Sequence, residues 1–218
     1  ERPAEYERMK ADGRLERELT VSYHYDAPLF IKGVTAQPPV ARVVGACPDA
    51  QTLAAMLQEP EGDRVTTAAL AGRLQVSEAA LYRHFASKAQ MFEGLIEFIE
   101  SSVFTLVNQV VEREPAGAQQ AAKILALVLQ FGEKNPGMVR VMVGDALVFE
   151  NERLIARMNQ FFDRVESQLR QSLRAAAEAS GSMQPTVDGN AQASALTSFA
   201  IGRLQRYARS GFKRSPTE

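Results

Sequence analysis

Apolar residues recur at helical spacing through most of the chain after residue 48, and the longest such stripe lies near its middle. Between Ser87 and Glu114 most of the intervals are three or four residues, which places the apolar side chains on one face of a long helix. The stripe consists of Phe92, Leu95, Ile96, Ile99, Val103, Leu106 and Val110. The hydroxyl of Ser87 is placed to cap the first turn of this helix.

The same spacing predicts further helices on both sides of this central one. Before it, a helix is expected from Asp49 to about Gln58, and two short helices follow. After it, helices are expected at about 119–134, 138–143, 151–180 and 191–210, with breaks that contain glycine, proline or asparagine. The fold class is thus predicted as all-α, with a three-helix head and a larger C-terminal helical domain.

Residues 65–88 have the layout of two short helices joined by a tight turn. Thr66 or Thr67 can cap the first helix and Ser77 the second, because a side-chain hydroxyl accepts a bond from an unpaired backbone N–H. Gln75 lies in the turn, where left-handed backbone angles are expected and a residue other than glycine costs about 1 kcal/mol. The small core between the helices is predicted to contain Leu70, Ala71, Leu74, Val76, Leu81 and Phe85. This layout predicts a helix-turn-helix.

The residues outside that small core are candidates for contact with DNA, since the second helix of such a motif enters the major groove. A helix N-terminus carries free N–H groups and partial positive charge, so Thr66 and Thr67 suit a phosphate as well as a cap. Tyr82 and His84 are expected at phosphates, and Ser77, Glu78 and Ala80 at base edges. The candidate DNA contacts are Thr66, Thr67, Ser77, Glu78, Ala80, Tyr82, His84 and Lys88.

This head resembles the DNA-binding domain of the TetR family of regulators. Later motifs, at residues 81–92, 95–100, 131–137 and 146–150, resemble the SlmA branch of that family, and the similarity covers about residues 52–217. The resemblance implies a TetR-like fold, a homodimer and binding to near-palindromic double-stranded DNA. It also implies that Lys88, which opens the long helix, grips the DNA backbone.

The SlmA resemblance further implies a nucleoid occlusion factor in the cytoplasm, associated with the nucleoid. Such a factor, when bound to DNA, binds the division protein FtsZ and inhibits assembly of the Z-ring over the nucleoid. The positions that match the groove for the acidic FtsZ tail are Phe98, Leu127, Gln130, Lys134 and Asn135. Phe98 lies about 120° from the apolar stripe of its helix, and Leu127 faces away from the stripe of the next, so both are expected to be exposed. Single exposed apolar residues are common on protein surfaces, so the pattern alone leaves this groove open.

The last two long helices carry apolar residues that are expected to meet a second subunit. The resemblance implies that these helices form a four-helix interface, and Phe162, Leu169, Leu173 and Phe199 are the candidate interface residues. The alternative is that the two helices only complete the core of one subunit.

Composition narrows the possible functions. A hydrophobic fraction of 45% excludes a wholly disordered chain, and the single cysteine, Cys47, excludes an internal disulfide framework. Two histidines and one cysteine do not suffice for a structural zinc site, and no glycine-rich phosphate loop or nucleophile–base pair is present, so neither metal, cofactor nor enzymatic activity is expected. No uninterrupted apolar run approaches the ~20 residues of a membrane span, so no membrane contact is expected. A ligand-responsive repressor remains the alternative function; it requires a pocket among the core helices.

The ends of the chain depart from the SlmA pattern. Residues 1–46 carry balanced charges without a sustained helical stripe and are expected to be an atypical, disordered leader. The predicted domains are therefore 47–92 for DNA binding and 93–218 for dimerisation and partner binding. A Lys/Arg-rich arm is expected before the first helix, but residues 43–48 are Val-Val-Gly-Ala-Cys-Pro, so weaker DNA binding is expected. The resemblance also implies a further short C-terminal helix, which a chain that stops at Glu218 is expected to lack.

Overall fold

The computed structural model of the protein describes residues 48–59, 62, 65–84 and 87–218. Within these residues the regular secondary structure is helical, with no strand, so the all-α prediction is confirmed. The α-helices in chain order are α1 (Pro48–Met56), α2 (Thr67–Leu74), α3 (Glu78–His84), α4 (Lys88–Arg113), α5 (Gly117–Lys134), α6 (Pro136–Met142), α7 (Glu152–Ala179) and α8 (Pro185–Arg209). A 3-10 turn at Asp145–Leu147 lies between α6 and α7. The predicted leader, residues 1–46, falls outside the described part of the chain.

Local hydrogen bonds fix the ends of the head helices. The Thr66 hydroxyl accepts a bond of 3.1 Å from the Ala69 N–H and caps α2. The Ser77 hydroxyl accepts one of 3.1 Å from the Ala80 N–H at the start of α3. The Ser87 hydroxyl accepts one of 3.2 Å from the Gln90 N–H at the start of α4. All three caps were predicted from sequence and are confirmed.

The turn between α2 and α3 contains a non-glycine residue in the left-handed region. Gln75 has φ 56° and ψ 37°, and its N–H bonds the carbonyl of Gly72 at 3.1 Å. The predicted left-handed turn is therefore confirmed. Leu70 and Leu81 are buried on either side of it, at 1% exposure each. The prediction that Val76 joins this core is wrong, because its side chain is 44% exposed at the end of the turn.

The head shares a continuous helix with the body. α4 contacts α1 in the head and α5, α6 and α7 in the body. Its predicted apolar stripe is buried, and Leu95, Ile96, Ile99 and Val103 are fully inaccessible to solvent. By length and composition alone α4 is long and apolar enough to cross a membrane, but half of its most apolar window is buried inside the protein. Its apolar face is accounted for by the core of the subunit.

The body is built around the pairing of α7 with α8, against which α5 packs. Two glycines allow these helices to approach closely. A side-chain carbon at Gly132 of α5 would collide with the side chain of Leu204 on α8. One at Gly189 of α8 would lie 3.0 Å from the backbone nitrogen of Arg174 on α7. A Cβ at Gly132 would therefore require the Leu204 side chain to move, and one at Gly189 would be tight against the backbone of α7.

The last helix begins earlier than expected. Sequence predicted a start near residue 191, but α8 begins at Pro185, which occupies the first turn, where a missing N–H costs nothing. The Ser182 hydroxyl accepts a bond of 3.0 Å from the Gln184 N–H and donates one of 2.5 Å to Asp188. The glycine and asparagine at 189 and 190, which disfavour helix by propensity, are helical because Gly189 packs against α7.

Candidate functional site

The helix-turn-helix brings the starts of its two helices together. The Thr67 hydroxyl, in the first turn of α2, donates a hydrogen bond of 2.8 Å to the Glu78 carboxylate, in the first turn of α3. Thr66 is exposed and Thr67 is half-buried, so both lie at the surface where α2 begins. The predicted phosphate contact at Thr67 and the predicted base contact at Glu78 are thus neighbours that already bind one another.

One face of α3 is open to solvent. Ser77 and Glu78 are exposed, Ala80 is half-buried, and the Tyr82 ring is 45% exposed. Leu81 points inward and is 1% exposed, so α3 is held to the head by one face and presents the other. Val76 adds an exposed apolar side chain just before this face, which the sequence pattern had assigned to the core. His84 ends α3, and its side chain lies outside the part of the chain that the structure describes.

Lys88 makes a contact that the sequence did not predict. Its ammonium forms an ion pair with the carboxylate of Glu150, 62 residues away in the chain, and lies 5.7 Å from the centre of the Phe92 ring. The side chain of Lys88 retains 27% of its accessible surface and that of Glu150 retains 11%. A cation expected at the DNA backbone is therefore engaged by the body of its own subunit.

Two further ion pairs join α4 to α7 beyond this one. Arg153 Nη2 lies 2.6 Å from Glu93 Oε1, and Arg157 binds both oxygens of Glu100 at 2.6 and 3.2 Å. The two hydrogen bonds that Arg157 donates to the Glu100 carboxylate raise the pKa of Arg157; burial opposes this shift, and the nearby carboxylates add to it. We call the pairs Lys88–Glu150, Glu93–Arg153 and Glu100–Arg157 the ion-pair ladder.

The expected exposure of Phe98 and Leu127 is wrong. Phe98 is 7% exposed and packs with its ring centre 6.2 Å from that of Phe131, and Leu127 is fully buried. The helical periodicity of α4 alone underestimated the burial of Phe98. Because α4 contacts α1, α5, α6 and α7, the buried part of its circumference is much wider than one stripe.

The polar members of the proposed partner site remain at the surface. Lys134 is exposed, and Gln130 and Asn135 are half-buried. The Asn135 side chain donates a bond of 2.7 Å to the carbonyl of Phe131 and so closes the end of α5. We call Gln130, Lys134 and Asn135 the α5 rim; Phe98 and Phe131, at 7% and 6% exposure, lie close beneath the surface beside it.

Three of the four expected interface residues are internal to the subunit. Phe162, Leu169 and Leu173 are 7%, 0% and 8% exposed, because α7 is packed against α5, α4 and α8 of its own chain. Within this subunit they belong to the core, which is the alternative that the sequence left open, and their place in a subunit interface stays a prediction. Phe199 on α8 differs, since it is 50% exposed.

An exposed strip on α8 surrounds Phe199, which the sequence predicted at the subunit interface. Val187 is 59% exposed, and small exposed residues, Ala191, Ala195 and Ser198, lie between it and Phe199. A side-chain carbon added at Gly202 would meet open space. We call these residues the α8 strip. The sequence showed the helical spacing of these residues. It did not show which face of α8 is covered by the rest of the subunit.

The described residues contain no group of three or more His, Cys, Asp or Glu side chains that could hold a metal ion. A pocket of about 630 Å³ is lined by residues from the C-terminal ends of α1 and α8, from α6 and from the segment after α6. Gln58, Arg140, Phe149, Arg209 and Lys213 are among the residues that line it. Phe149 at its edge is 71% exposed, so this pocket is a surface feature and not a cavity enclosed by the core helices.

Comparison with known proteins identifies the family to which the chain belongs. Residues 54–95 match the family of bacterial regulatory proteins of the tetR type, and residues 118–218 match the tetracyclin repressor-like C-terminal domain. The chain is 50% identical over 169 residues to the nucleoid occlusion factor SlmA of Photobacterium profundum, covering 77% of this chain and 86% of that protein. It is 49% identical over 168 residues to the SlmA of Idiomarina loihiensis, covering 77% and 85%. The head is therefore a DNA-binding domain, and the chain belongs to the SlmA family of TetR-type bacterial regulatory proteins.

Proposed function

We propose that the protein is a nucleoid occlusion factor that binds a near-palindromic DNA site as a homodimer and, on that DNA, binds FtsZ and inhibits Z-ring assembly. The observation that carries this proposal is the near 50% identity to proteins named nucleoid occlusion factor SlmA, which spans both head and body. The proposal places the protein in the cytoplasm, associated with the nucleoid, and assigns it no enzymatic reaction.

For DNA binding, the exposed face of α3 enters the major groove. Thr66, Tyr82 and Lys88 contact the phosphate backbone, together with Thr67 and His84, whereas Ser77, Glu78 and Ala80 face base edges. The exposure of Thr66, Tyr82 and Glu78 supports this orientation. Because Thr67 donates a hydrogen bond to Glu78, the Glu78 carboxylate is held in place. A carboxylate in the major groove accepts a hydrogen bond from the amino group of cytosine.

For dimerisation, we assign the α8 strip as the surface that meets a second copy. Its support is a 50% exposed phenylalanine and a 59% exposed valine among small residues, which lets a second helix approach closely. Phe162, Leu169 and Leu173 then act from inside the subunit by holding α7 behind α8. A two-fold dimer places its two heads in successive major grooves, about 34–36 Å apart.

For partner binding, the α5 rim is the part of the predicted groove that a partner can reach. Lys134 supplies the positive charge for an acidic tail, and Gln130 and Asn135 lie beside it. Phe98 and Leu127 form the floor, which supports the rim from within the subunit. In this arrangement the first contact with the tail is electrostatic, because the cation is more exposed than the rings.

The test is sedimentation of FtsZ polymers in the presence of the full chain. The DNA is a duplex that the protein itself enriches from a random pool, and a scrambled duplex serves as control. The expected result is less polymer in the pellet with the enriched duplex than with the scrambled one. If neither duplex changes the pellet while the enriched duplex is bound, the protein is a DNA-binding regulator without action on FtsZ, and the ligand-responsive repressor becomes the better account.

A further inference from the structure

The ion pair between Lys88 and Glu150 links the DNA-facing end of α4 to the segment that precedes α7. Lys88 is the first residue of α4, directly after the Ser87 cap. Glu150 lies two residues before the start of α7, and its carboxylate is largely shielded from solvent. Ion pairs with one shielded partner are screened less by salt than exposed pairs, so in the DNA-free protein this pair stays closed at moderate ionic strength.

Lys88 differs from the other members of the ion-pair ladder. In the other two pairs α4 supplies the carboxylate, Glu93 or Glu100, and α7 supplies the guanidinium. At the head end the polarity is reversed, and α4 supplies the cation. Lys88 is also the ladder member that we assign to the DNA backbone. The first pair therefore involves both the contact with the body of the subunit and the proposed contact with DNA, whereas the other two pairs involve no proposed DNA contact.

A carboxylate and a DNA phosphate are competing acceptors for the same ammonium group. We propose that Glu150 competes with a DNA phosphate for Lys88 and so sets the affinity of the head for DNA. Glu150 is then a positioning residue for DNA binding, because it acts through Lys88. While the pair is closed, the negative charge of Glu150 neutralises the positive charge of Lys88. Lys88 then contributes little to the release of counterions from DNA. Binding of DNA opens the pair.

This inference rests on the proposed contact between Lys88 and the DNA backbone. A purely bracing role for the pair is the alternative, in which Glu150 only holds head and body together. The ladder itself supplies the control, since Glu93–Arg153 joins the same two regions five residues further along α4 without involving a proposed DNA contact. The side chain of Arg153 is 61% exposed, so its replacement should leave the fold intact.

The test measures binding of the full chain to the enriched duplex over a series of salt concentrations by fluorescence anisotropy. Glu150→Gln should bind about two- to fivefold more tightly per subunit, because Lys88 no longer has to leave a carboxylate before it meets a phosphate. Its plot of log affinity against log salt should be steeper by about one per subunit, because one more cation meets a phosphate. Arg153→Gln should leave both quantities unchanged. In the double variant Lys88→Ala with Glu150→Gln, the gain from Glu150→Gln should disappear.

The possible results distinguish failure of the competition by Glu150 from failure of the proposed contact between Lys88 and DNA. If Lys88→Ala leaves affinity and salt dependence unchanged, the contact between Lys88 and DNA is wrong. If Lys88→Ala weakens binding but Glu150→Gln does not tighten it, the contact stands and the competition is overturned. Equal effects of Glu150→Gln and Arg153→Gln would also overturn it in favour of bracing. Thermal unfolding of each variant shows whether any change reflects loss of fold.

Discussion

The ring of Phe98 on α4 lies with its centre 6.2 Å from that of Phe131 on α5, tilted by 45°, and both rings are buried. This contact joins the helix that leaves the head to the helix that carries the α5 rim. A change at Phe98 therefore acts on the stability of the subunit before it acts on any surface.

Replacing Phe98 by alanine should destabilise the protein by about 3 kcal/mol, because it leaves a cavity in a packed region. Chemical denaturation should show a lower midpoint with an unchanged slope. Phe149→Ala is the matched control, since this ring is 71% exposed, and it should change stability by less than about 1 kcal/mol. Equal midpoints for Phe98→Ala and the parent would place the Phe98 ring at the surface after all.

Replacing Gln75 by glycine should stabilise the head. Gln75 holds φ 56°, and glycine adopts that angle without the steric cost of a Cβ, so a gain of about 0.5–1 kcal/mol is expected. The reverse change, Gly181→Ala, tests the same effect at φ 79°, where an added Cβ meets open space. It should lower the thermal midpoint. A midpoint that falls for Gln75→Gly would show that the side chain of Gln75 contributes more than its backbone strain costs.

Local features of the fold followed from sequence more readily than contacts between distant segments. The caps at Thr66, Ser77 and Ser87 and the turn at Gln75 involve neighbours within a few residues, so residue type and spacing identified them. The pair Lys88–Glu150 spans 62 residues and depends on where α6 and α7 lie, so no local pattern revealed it. The periodicity of one helix also failed at Phe98 and Leu127, because several helices converge there.

The proposed dimer makes opposite predictions for two apolar residues of the body. Phe199→Glu places a charge on the α8 strip and should give folded monomers with weak DNA binding. Leu169 is fully buried in its own subunit, so Leu169→Glu should instead unfold the chain, as judged by circular dichroism. Asn108→Glu, at an exposed position of α4, is the control for added charge. A dimeric mass for Phe199→Glu in analytical ultracentrifugation at micromolar concentration would rule out this surface.

The exposed ring of Tyr82 should contribute a phosphate contact through its hydroxyl. Tyr82→Phe removes that hydroxyl while keeping the ring, so affinity should fall by a similar factor, about two- to tenfold, for every sequence that the head binds. Binding to the enriched duplex and to single-base variants of it is the measurement. Discrimination that changes at one base pair only would assign Tyr82 to base readout instead.

Lys134 should be the residue on which capture of an acidic FtsZ tail depends most. It is the exposed cation of the α5 rim, and reversal of its charge replaces attraction with repulsion at the point of first contact. Lys134→Asp should therefore lower the affinity for a labelled FtsZ tail peptide by tenfold or more, on the order of what loss of a hot-spot charge produces. DNA binding should be unchanged, because α5 does not belong to the head.

Lys213→Asp provides the same change of charge at another exposed lysine, beyond the end of α8. It should leave tail binding nearly unaltered, which separates a local contact from the effect of net charge. Fluorescence anisotropy with the DNA-bound full chain measures both variants, and the difference should shrink as salt rises, since exposed charges are screened within about 10 Å at moderate ionic strength. Equal tail affinities for the two variants would remove the α5 rim from the proposal while leaving the DNA-binding function in place.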